Sequence, residues 1–422
     1  MSFETVSVIG LGYIGLPTAA MFAAHGKNVI GVDVNANAVN TINRGEIHIV
    51  EPDLDAMVAQ AVQKGMLRAS LEASPADAFL IAVPTPFKSD GGDIPTPDLS
   101  YIESACKSIA PVLKKGDLVV LESTSPVGAT EQVVKWLQDF RPDLKLPNES
   151  SINTDVYVAH CPERVLPGHV VRELIENDRV IGGITKACSE RAVALYQTFV
   201  QGECVVTNAR TAEMAKLTEN ASRDVSIAFA NELSLICDET NIDVWELIAL
   251  ANRHPRVNIL QPGPGVGGHC IAVDPWFIVS KSPETAKIIK TARHINDGKP
   301  GWVVDKVKIA VADFLTSNPN KTIKDVKIAC YGLAFKPDID DLRESPALGI
   351  AKLLTSEYQT NCISVEPNIG ESQSPAEINL VDFEFARQNA DIHILLVDHK
   401  LFKNSSLPDG IVIDTKGIWK TK

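Results

Sequence analysis

The sequence predicts an α/β protein with two Rossmann-like, doubly wound lobes joined by a helical central domain with a long connecting helix. Short apolar runs alternate with helical patterns near the amino terminus, a similar layout returns near the carboxyl terminus, and a long helical stripe lies between them. Continuous apolar strands separated by helices are typical of a parallel sheet that is covered on both faces. We therefore expect three domains, over residues 1–205, 206–300 and 301–422.

Four apolar runs in the first lobe have the length and composition of buried strands. They cover residues 7–10, 29–33, 78–83 and 118–123, and helical patterns such as 53–64 and 101–113 lie between them. A loop rich in proline and glycine, residues 84–97, comes after the third run. Loops at the carboxyl ends of parallel strands usually line a ligand crevice, so we expect such a crevice here.

The middle of the chain has helical periodicity instead. Residues 211–238 predict one long helix, because apolar side chains such as Leu217, Ala221 and Ala228 recur on one face. A second helical pattern covers residues 244–251. We expect the long helix to connect domains or to form a dimer interface.

The second lobe repeats the layout of the first. Its strands are predicted over residues 326–333, 362–366, 392–397 and 411–414. No GxGxxG segment comes after the first of these runs. We therefore expect this lobe to hold something other than a dinucleotide, or only part of a nucleotide.

The charge balance limits the partners of the protein. Of 422 residues, 40 are Lys or Arg and 53 are Asp or Glu, so the formal net charge is −13. A chain this acidic is a poor candidate for nucleic-acid binding, which requires a basic face. A local basic pocket can still bind an anionic small molecule, so that class of substrate stays open.

Compartment and metal content are also indicated by the sequence. Residues 5–24 are uncharged, but Glu4 precedes them and they contain several glycines and a proline, which argues against a signal peptide or a membrane span. The eight cysteines form no CxxC pair and are scattered through apolar runs, which indicates reduced thiols. His169, His294 and His393 show no metal-ligand spacing. We expect a cytoplasmic protein with no membrane partner and no metal.

The segment GLGYIG, residues 10–15, comes after an apolar strand and opens a helix. Its glycines permit a tight turn and the close approach of a pyrophosphate to the helix amino terminus. Asp33 lies 18 residues after Gly15, at the end of the second predicted strand. A carboxylate there accepts hydrogen bonds from ribose hydroxyls and repels a 2′-phosphate, which predicts NAD rather than NADP. The alternative is a plain glycine turn with a capping aspartate.

A second glycine-rich segment, residues 262–275, contains Cys270 and Asp274. Glycines before Cys270 allow a substrate to approach the backbone closely. If Cys270 starts a helix, Asp274 lies one turn further on, and the helix amino terminus favours the thiolate. We interpret Cys270 as a nucleophile and the other seven cysteines as small buried apolar residues.

Further polar residues have both a functional and a structural interpretation. Lys216, Asn220 and Arg223 share one face of the long helix, but such a face is often only solvated. Lys336 and Arg343 lie in a charged loop after the first strand of the second lobe, and either can pair with a phosphate. The segment 252–259 adds basic residues just before the glycine-rich segment, which indicates an anionic substrate.

Seven separated segments together resemble one family. They read GLGYIGLP, VPTP, ESTSPVG, CPERVLPG, EMAKLTEN, GVGGHC and GLAFKPDIDDLRESP. Over nearly the whole chain they resemble the nucleotide-sugar 6-dehydrogenases, the UDP-glucose dehydrogenase superfamily. The resemblance implies an NAD-binding first domain, a central dimerisation domain and a UDP-sugar-binding third domain. It further implies oxidation of a sugar C6 alcohol in two steps by a homodimer built on the central helix.

The resemblance also implies roles for individual residues. Cys270 matches the catalytic thiol. Lys216, Asn220 and Asp274 match residues that transfer protons and bind an oxyanion or water. Thr124 and Glu163 match residues beside the reacting carbon. The expected cofactor-binding residues are Gly10, Gly12, Tyr13, Ile14, Gly15, Asp33, Thr85, Thr124 and Arg343. The expected substrate-binding residues are Arg164, Val165, Lys216, Asn220, Arg223, His254, Arg256, Gly267, Phe335 and Lys336.

Three positions depart from the pattern of UDP-glucose dehydrogenases. They are Val273, Pro167 and His269, and they resemble the branch that acts on UDP-N-acetylmannosamine. The expected reaction is therefore oxidation of that sugar nucleotide to its uronate with two NAD, for surface polysaccharide synthesis in bacteria. The alternatives are another UDP-hexose such as UDP-glucose or UDP-N-acetylglucosamine, a single-step hydroxyacid-type dehydrogenase that needs no thiol, and a non-catalytic NAD-binding protein.

Overall fold

The computed structural model describes residues 3–49, 51–88, 92–148, 150, 153–165, 168–268, 270–370 and 373–419. The chain divides into two compact units, Met1–Glu219 and Asn220–Lys422. No helix within these described residues is both long and apolar enough to cross a lipid bilayer.

An eight-stranded sheet forms the centre of the first unit. Its strands are β1 Thr5–Ile9, β2 Asn28–Val32, β3 Leu67–Ser70, β4 Ala78–Ile81, β5 Leu118–Leu121, β6 Tyr157–His160, β7 Arg179–Gly183 and β8 Cys204–Asn208. They lie in the order β3-β2-β1-β4-β5-β6-β7-β8. Neighbouring strands are parallel except β6 and β7, which are antiparallel. The predicted parallel α/β sheet is confirmed, although its last two strands run opposite to the others.

Helices cover this sheet. They are α1 Gly15–Ala24, α2 Ala36–Asn43, α3 Leu54–Gln63, α4 Ser100–Ile109, α5 Ala129–Phe140, α6 Val170–Glu176 and α7 Lys186–Tyr196. Alternate strand residues enter two separate apolar clusters, because successive side chains point to opposite faces. In β5, Val120 belongs to one cluster and Val119 and Leu121 to the other. Burial on both faces explains why this strand is a continuous apolar run.

The long helix predicted over 211–238 is observed as α8, Ala209–Thr240. The division between the two units falls within it, after Glu219. The second predicted helix is α9, Val244–Ala251, whose amino terminus is capped by the Asp243 side chain.

The second unit contains a four-stranded parallel sheet. Its strands are β9 Ile328–Tyr331, β10 Cys362–Val365, β11 Ile392–Leu395 and β12 Ile411–Asp414, in the order β10-β9-β11-β12. The remaining helices are α10 Asp274–Lys281, α11 Lys287–Ser317, α12 Pro346–Tyr358, α13 Phe383–Asn389 and α14 Lys400–Lys403. All four strands were predicted, and both faces of the sheet are covered by apolar clusters.

Candidate active site

The glycine turn after β1 has the geometry that the sequence predicted. Gly10 has φ +92°, and a Cβ there would lie 2.5 Å from the Ala82 carbonyl oxygen. A Cβ on Gly15 would collide with the carbonyl oxygen of Gly10. Two of the three glycines are therefore required by the turn itself, because the chain passes too close to itself for a side chain.

The third glycine leaves room for a ligand. A Cβ on Gly12 would meet no atom within 4 Å, and α1 begins three residues later. Open space in front of a helix amino terminus suits a diphosphate, since the N–H groups and the helix dipole both favour negative charge. These residues, with the partly buried Tyr13 and Ile14 of the turn, fit the diphosphate of a dinucleotide.

Asp33 comes directly after β2 and is held beside the turn. Its Oδ2 accepts a hydrogen bond from the Leu11 N–H at 2.8 Å, and its Oδ1 accepts one from the Asn35 N–H at 2.8 Å. The carboxylate therefore has a fixed orientation at the carboxyl edge of the sheet. This placement fits the ribose of an adenosine and disfavours a 2′-phosphate.

The ends of β4 and β5 are tied together next to this turn. Thr85 donates its hydroxyl to the Thr124 carbonyl oxygen at 2.6 Å, and Ser123 donates to the Val83 carbonyl oxygen at 2.7 Å. The structure thus brings together Thr85 and Thr124, two of the predicted cofactor-binding residues. Both lie in the crevice position expected for an open α/β sheet.

Glu163 is buried in an ion pair. Its Oε2 accepts a hydrogen bond from the Arg179 guanidinium at 2.7 Å, and its Oε1 accepts one from the Arg164 N–H at 2.7 Å. Arg179 also lies over the Tyr196 ring, 5.4 Å from its centroid, and Tyr196 donates its hydroxyl to Glu122 at 2.6 Å. Glu163 was expected from the sequence, whereas Arg179, Tyr196 and Glu122 were not.

Glu122 is fully buried next to Thr124. Burial raises its pKa to about 7, and the negative charge of Glu163 acts in the same direction. Of the predicted substrate residues nearby, Arg164 pairs with Glu219 of α8 at 2.7 Å, and Val165 packs against the apolar cluster. Lys216 lies in α8 and is partly buried.

Cys270 lies in the second unit, in a turn that leads into α10. The Val273 and Asp274 N–H groups donate to the Cys270 carbonyl oxygen at 3.0 and 2.8 Å. The helix begins at Asp274, so the possibility that Cys270 itself starts a helix is not realised. Cys270 and Cys204 are partly exposed, whereas the other six cysteines are buried, so the expectation of burial is wrong for Cys204 alone among the seven.

Asp274 is buried and held by Asn220. The Asn220 side-chain amide donates to Asp274 Oδ2 at 2.5 Å. Asp274 also starts the helix after the Cys270 turn, and its N–H donates to the Cys270 carbonyl oxygen at 2.8 Å, so Asn220 fixes a carboxylate four residues after the thiol. The structure therefore brings together these three predicted catalytic residues.

The loop after β9 packs against the glycines that precede Cys270. A Cβ on Gly267 would lie 2.9 Å from the Phe335 Cβ, and one on Gly268 would lie 3.1 Å from the Phe335 ring. Partial burial lowers the pKa of Lys336, and the positive charge of Arg223 lowers it further, while Cys270 opposes this effect. Phe335 thus packs on the glycines before Cys270, and Lys336 lies within electrostatic reach of Arg223 and Cys270.

A buried polar network holds the start of the glycine-rich segment. Gly263 donates its N–H to Asn231 Oδ1 at 2.9 Å, and the Asn231 amide donates to Asn296 Oδ1 at 2.9 Å. Asn296 in turn donates to Asp224 Oδ1 at 2.8 Å, and Arg293 forms an ion pair with the same carboxylate. This network was not expected from the sequence. Its only signal there is that Asp224 and Asn231 lie seven residues apart, on one face of α8.

Three other predicted residues lie in exposed positions. His254 and Arg256 come after α9, and the Arg256 N–H donates to His254 Nδ1 at 3.3 Å. Arg343 pairs with Asp341 within its own loop, at 2.6 Å between Nη2 and Oδ2. Pro167 and His269, two of the departures used to predict the substrate, lie outside the described residues. Within those residues, no group of three His, Cys, Asp or Glu side chains is arranged to hold a metal ion.

Three family models match the chain in succession. Residues 4–200 match the NAD binding domain of the UDP-glucose/GDP-mannose dehydrogenase family, residues 210–298 its central domain and residues 329–421 its UDP binding domain.

Full-length relatives include two kinds of dehydrogenase. The UDP-N-acetyl-D-mannosamine dehydrogenase of Yersinia pestis is 64% identical over 100% of both chains. The NDP-N-acetyl-D-galactosaminuronic acid dehydrogenase of Ralstonia nicotianae is 59% identical over 100% of this chain and 98% of that protein.

Solved structures agree with this similarity. A UDP-D-ManNAc dehydrogenase from Pyrococcus horikoshii has a TM-score of 0.86 at 36% identity and covers 99% of this chain and 96% of that chain. A UDP-N-acetyl-mannosamine dehydrogenase from Staphylococcus aureus has a TM-score of 0.84 at 42% identity, with the same coverage of 99% and 96%.

Proposed function

The chain belongs to the UDP-glucose/GDP-mannose dehydrogenase family and is an NAD-dependent oxidoreductase, and from that premise we propose that it oxidises the C6 alcohol of UDP-N-acetyl-D-mannosamine to the uronate. In balanced form, the alcohol, two NAD⁺ and water give the carboxylate, two NADH and three protons. The product is an acidic sugar nucleotide, which a glycosyltransferase can use for surface polysaccharide.

The observation that supports this proposal most strongly is the grouping around Cys270. The partly exposed Cys270 lies in the turn before α10, and its carbonyl oxygen accepts the N–H of Asp274, whose carboxylate Asn220 holds. A single oxidation of an alcohol needs no thiol, whereas an oxidation that continues to the acid benefits from a covalent intermediate. The site therefore favours two successive oxidations over a hydroxyacid-type reaction.

The chain's own residues then have distinct roles. The glycine turn and Asp33 would hold NAD, which would supply the hydride-accepting chemistry for both oxidations. The Cys270 sulfur adds to the aldehyde carbon of the first product, remains bonded as a thioester after the second oxidation, and leaves as a thiol when water adds. Asn220 and Lys216 stabilise negative charge on the sugar oxygen. Asp274 accepts a proton from the attacking water.

Lys336 and its neighbours are proposed to bind the UDP moiety. Lys336 lies near Arg223 and near the thiol, so two positive charges lie close to the site. Phosphate groups pair well with such charges. Arg164, Val165, His254, Arg256 and Gly267 are proposed substrate contacts, and Arg343 is a proposed contact of the facing cofactor.

A panel of sugar nucleotides with NAD, measured at the NADH absorbance, tests the substrate. We expect turnover with UDP-N-acetylmannosamine and little with UDP-glucose. Because the Ralstonia relative is named for an NDP-N-acetyl-D-galactosaminuronic acid, we choose UDP-N-acetylgalactosamine as the comparison substrate. Faster turnover with it, or with UDP-glucose, would contradict the assigned sugar but not the family. A lack of NADH with every sugar nucleotide would contradict the reaction itself.

The variant Cys270→Ala tests the covalent mechanism. The unaltered enzyme is expected to form two NADH per sugar without releasing aldehyde, and mass spectrometry should detect a sugar adduct on Cys270. The variant should still bind UDP but lose the second oxidation. Uronate formation by Cys270→Ala at the original rate would rule out the thiol as nucleophile.

A homodimer is proposed on apolar residues of the second unit. Phe229 and Ile236 of α8 are 50% and 48% exposed, and Leu250 of α9 is 59% exposed. Phe229 and Ile236 are seven residues apart on one helix face, and exposed apolar patches of this kind mark interaction sites. Light scattering should give twice the 45.6 kDa chain mass. Phe229→Glu should lower that mass, whereas the control Ile288→Glu on α11 should not, and a monomeric wild-type protein would refute the dimer.

A cytoplasmic location is proposed on chemical grounds. Buried cysteines that stay reduced, together with a requirement for NAD, suit the cytoplasm. Fractionation of cells that express the protein should recover it with cytoplasmic enzymes, and recovery from the periplasm or medium would contradict the proposal.

A further inference from the structure

The loop 333–345 carries Phe335 and Lys336, and we name it the substrate loop. Its two ends are bonded to each other, and its first residue is also bonded to the body of the second unit. Ser345 donates its hydroxyl to the Leu333 carbonyl oxygen at 2.6 Å, and the Leu333 N–H donates to Glu366 Oε2 at 2.7 Å. Two further residues that maintain the shape of this loop lie outside it: Glu366 directly follows β10, and His399 directly precedes α14.

Glu366 is the carboxylate at the end of β10, and it is 4% exposed. Its Oε2 accepts N–H groups from Leu333 and Ala334 at 2.7 and 3.0 Å, and its Oε1 accepts the Asn368 N–H at 3.1 Å. Burial raises its pKa, but the bond from His399 and the backbone N–H groups together hold the pKa of Glu366 below its usual value. Glu366 is therefore ionised, and its carboxylate accepts hydrogen bonds from other groups of the protein.

His399 joins Glu366 to the middle of the loop and is fully buried. Its Nδ1 lies 2.9 Å from the Asp338 N–H nitrogen and 3.0 Å from the Asn368 side-chain amide nitrogen. Because a backbone N–H can only donate, Nδ1 must accept, and the ring proton must lie on Nε2. Nε2 then donates to Glu366 Oε2 at 3.0 Å.

Asp338 is the residue of the loop that is bonded to His399, and through His399 it is linked to Glu366. It has φ +61°, a left-handed conformation that a non-glycine residue keeps only when its surroundings hold it. Its N–H is bound by His399, and its Oδ1 accepts the Lys400 N–H at 3.0 Å. Phe335 and Lys336 lie between this anchor and the one that Glu366 provides at Ala334.

We propose that His399 and Glu366 are positioning residues that hold the substrate loop so that Phe335 and Lys336 face the glycines before Cys270. The proposal rests on the proposed function, in which this loop binds the UDP moiety. Phe335 packs so closely on Gly267 and Gly268 that a small displacement of the loop changes the site beside the thiol. Neither positioning residue needs to contact the sugar nucleotide.

Two substitutions of His399 separate its two bonds. In His399→Asn the side-chain oxygen lies near the former Nδ1 and can still accept the Asp338 N–H. In His399→Gln the amide reaches the former Nε2 and can still donate to Glu366, but nothing accepts the Asp338 N–H. Leaving that buried donor without a partner should raise KM for the sugar nucleotide, and Kd for UDP, about tenfold. We expect His399→Asn to lie closer to the unaltered enzyme, with kcat and the KM for NAD nearly unchanged in both.

His393 provides the matched control, because it is as fully buried as His399 and lies on β11, six residues earlier in the chain. Its ring bonds to the Tyr331 hydroxyl at 2.8 Å and to the Asp409 carbonyl oxygen at 2.9 Å, and neither residue belongs to the substrate loop. His393→Gln should lower the melting temperature without changing Kd for UDP. If His399→Gln does not fold, Glu366→Gln tests the same anchor and should weaken UDP binding likewise.

The outcomes distinguish this proposal from the proposed function. The positioning role would be overturned if folded His399→Gln and Glu366→Gln bound UDP with unchanged affinity. It would also be overturned if His393→Gln lost as much UDP affinity as they do. Neither result would contradict the enzyme's reaction. Failure of the unaltered protein to bind UDP at all would overturn both.

Discussion

A glycine turn comes after the first strand of the sheet in each unit, and the backbone geometry of the two turns is almost the same. Gly10 has φ +92° and donates its N–H to Val32 at 2.7 Å; Gly332 has φ +90° and donates its N–H to Val365 at 2.8 Å. A carboxylate at the end of the second strand, Asp33 or Glu366, accepts an N–H of the turn in both units. The two units therefore have the same arrangement of strand, glycine turn and strand-end carboxylate.

The two units differ in the residues between the turn and the next helix. In the first unit Gly12 leaves open space and α1 begins at Gly15, so a helix amino terminus lies directly after this space. In the second unit the corresponding positions are Ala334 and Pro337, and α12 begins only at Pro346. The strand-turn geometry alone therefore does not specify a dinucleotide. Two features decide which ligand is bound: where the next helix starts, and whether the strand-end carboxylate can accept a hydrogen bond from the ligand.

The largest expected effect separates the glycines of the first turn. Gly15→Ala should destabilise the protein by about 3 kcal/mol or more, because the new Cβ would collide with the Gly10 carbonyl oxygen. Gly12→Ala should leave the melting temperature nearly unchanged but weaken NAD binding, since its Cβ would fill only the ligand space. Denaturant unfolding and NAD titration measure both. Equal stability of the two variants would contradict the different roles assigned to these glycines.

The strand-end acid of the first unit should determine the choice of cofactor. Asp33→Asn retains an acceptor for the Leu11 N–H but removes the charge, so we expect NAD affinity to fall about tenfold and the gap to NADP to narrow. Steady-state kinetics with the two cofactors would show this. Equal use of NAD and NADP by the unaltered enzyme would contradict the role of Asp33.

Two buried carboxyl groups, one in each unit, should have opposite effects on stability as pH changes. Burial raises the pKa of Glu122 to about 7, so its contribution to stability is present below the usual value near 4.5 and is lost as pH rises through 7. The pKa of Glu366 is lowered, so its contribution is present above the usual value and is lost as pH falls. Between pH 5 and 8 the unaltered protein should lose unfolding free energy because Glu122 ionises. Glu122→Gln should lose less over the same range, by at most about 3 kcal/mol. An unchanged profile would show that Glu122 ionises normally.

The smallest expected effect is a null result in the second turn. The double substitution Ala334→Gly and Pro337→Gly recreates a GxGxxG pattern there. We expect no additional NAD binding, because α12 still begins far from the turn and Glu366 is still bound to His399. Calorimetric detection of a second NAD site in this variant would show that the glycines alone determine the ligand.

Much of the fold could be predicted because its strands are buried on both faces. Four of the eight strands of the first unit and all four of the second stood out as continuous apolar runs. Strand β8 did not, because it is an edge strand with mostly exposed or partly exposed side chains. Helix α11 was missed because Pro300 and nearby glycines lie inside it, and such residues usually indicate a helix end.

The site was predictable where its residues are close in sequence. The glycine turn and the segment around Cys270 are local, although Pro275 at the start of α10 moves the helix start to Asp274. The partners of Glu163 and Glu366 were not predictable, because their pairing depends on which strands become neighbours. His399 lies 33 residues from Glu366 in sequence, and only the sheet order brings the two together.

Titration of the intact protein with NAD, for the unaltered chain and for Gly12→Ala, tests the division between the two turns most directly. We expect one NAD per chain, binding that Gly12→Ala greatly weakens, and UDP affinity that is the same in both proteins. Two NAD per chain, or NAD affinity that survives in Gly12→Ala while UDP affinity falls, would contradict the assignment of the cofactor to the first turn.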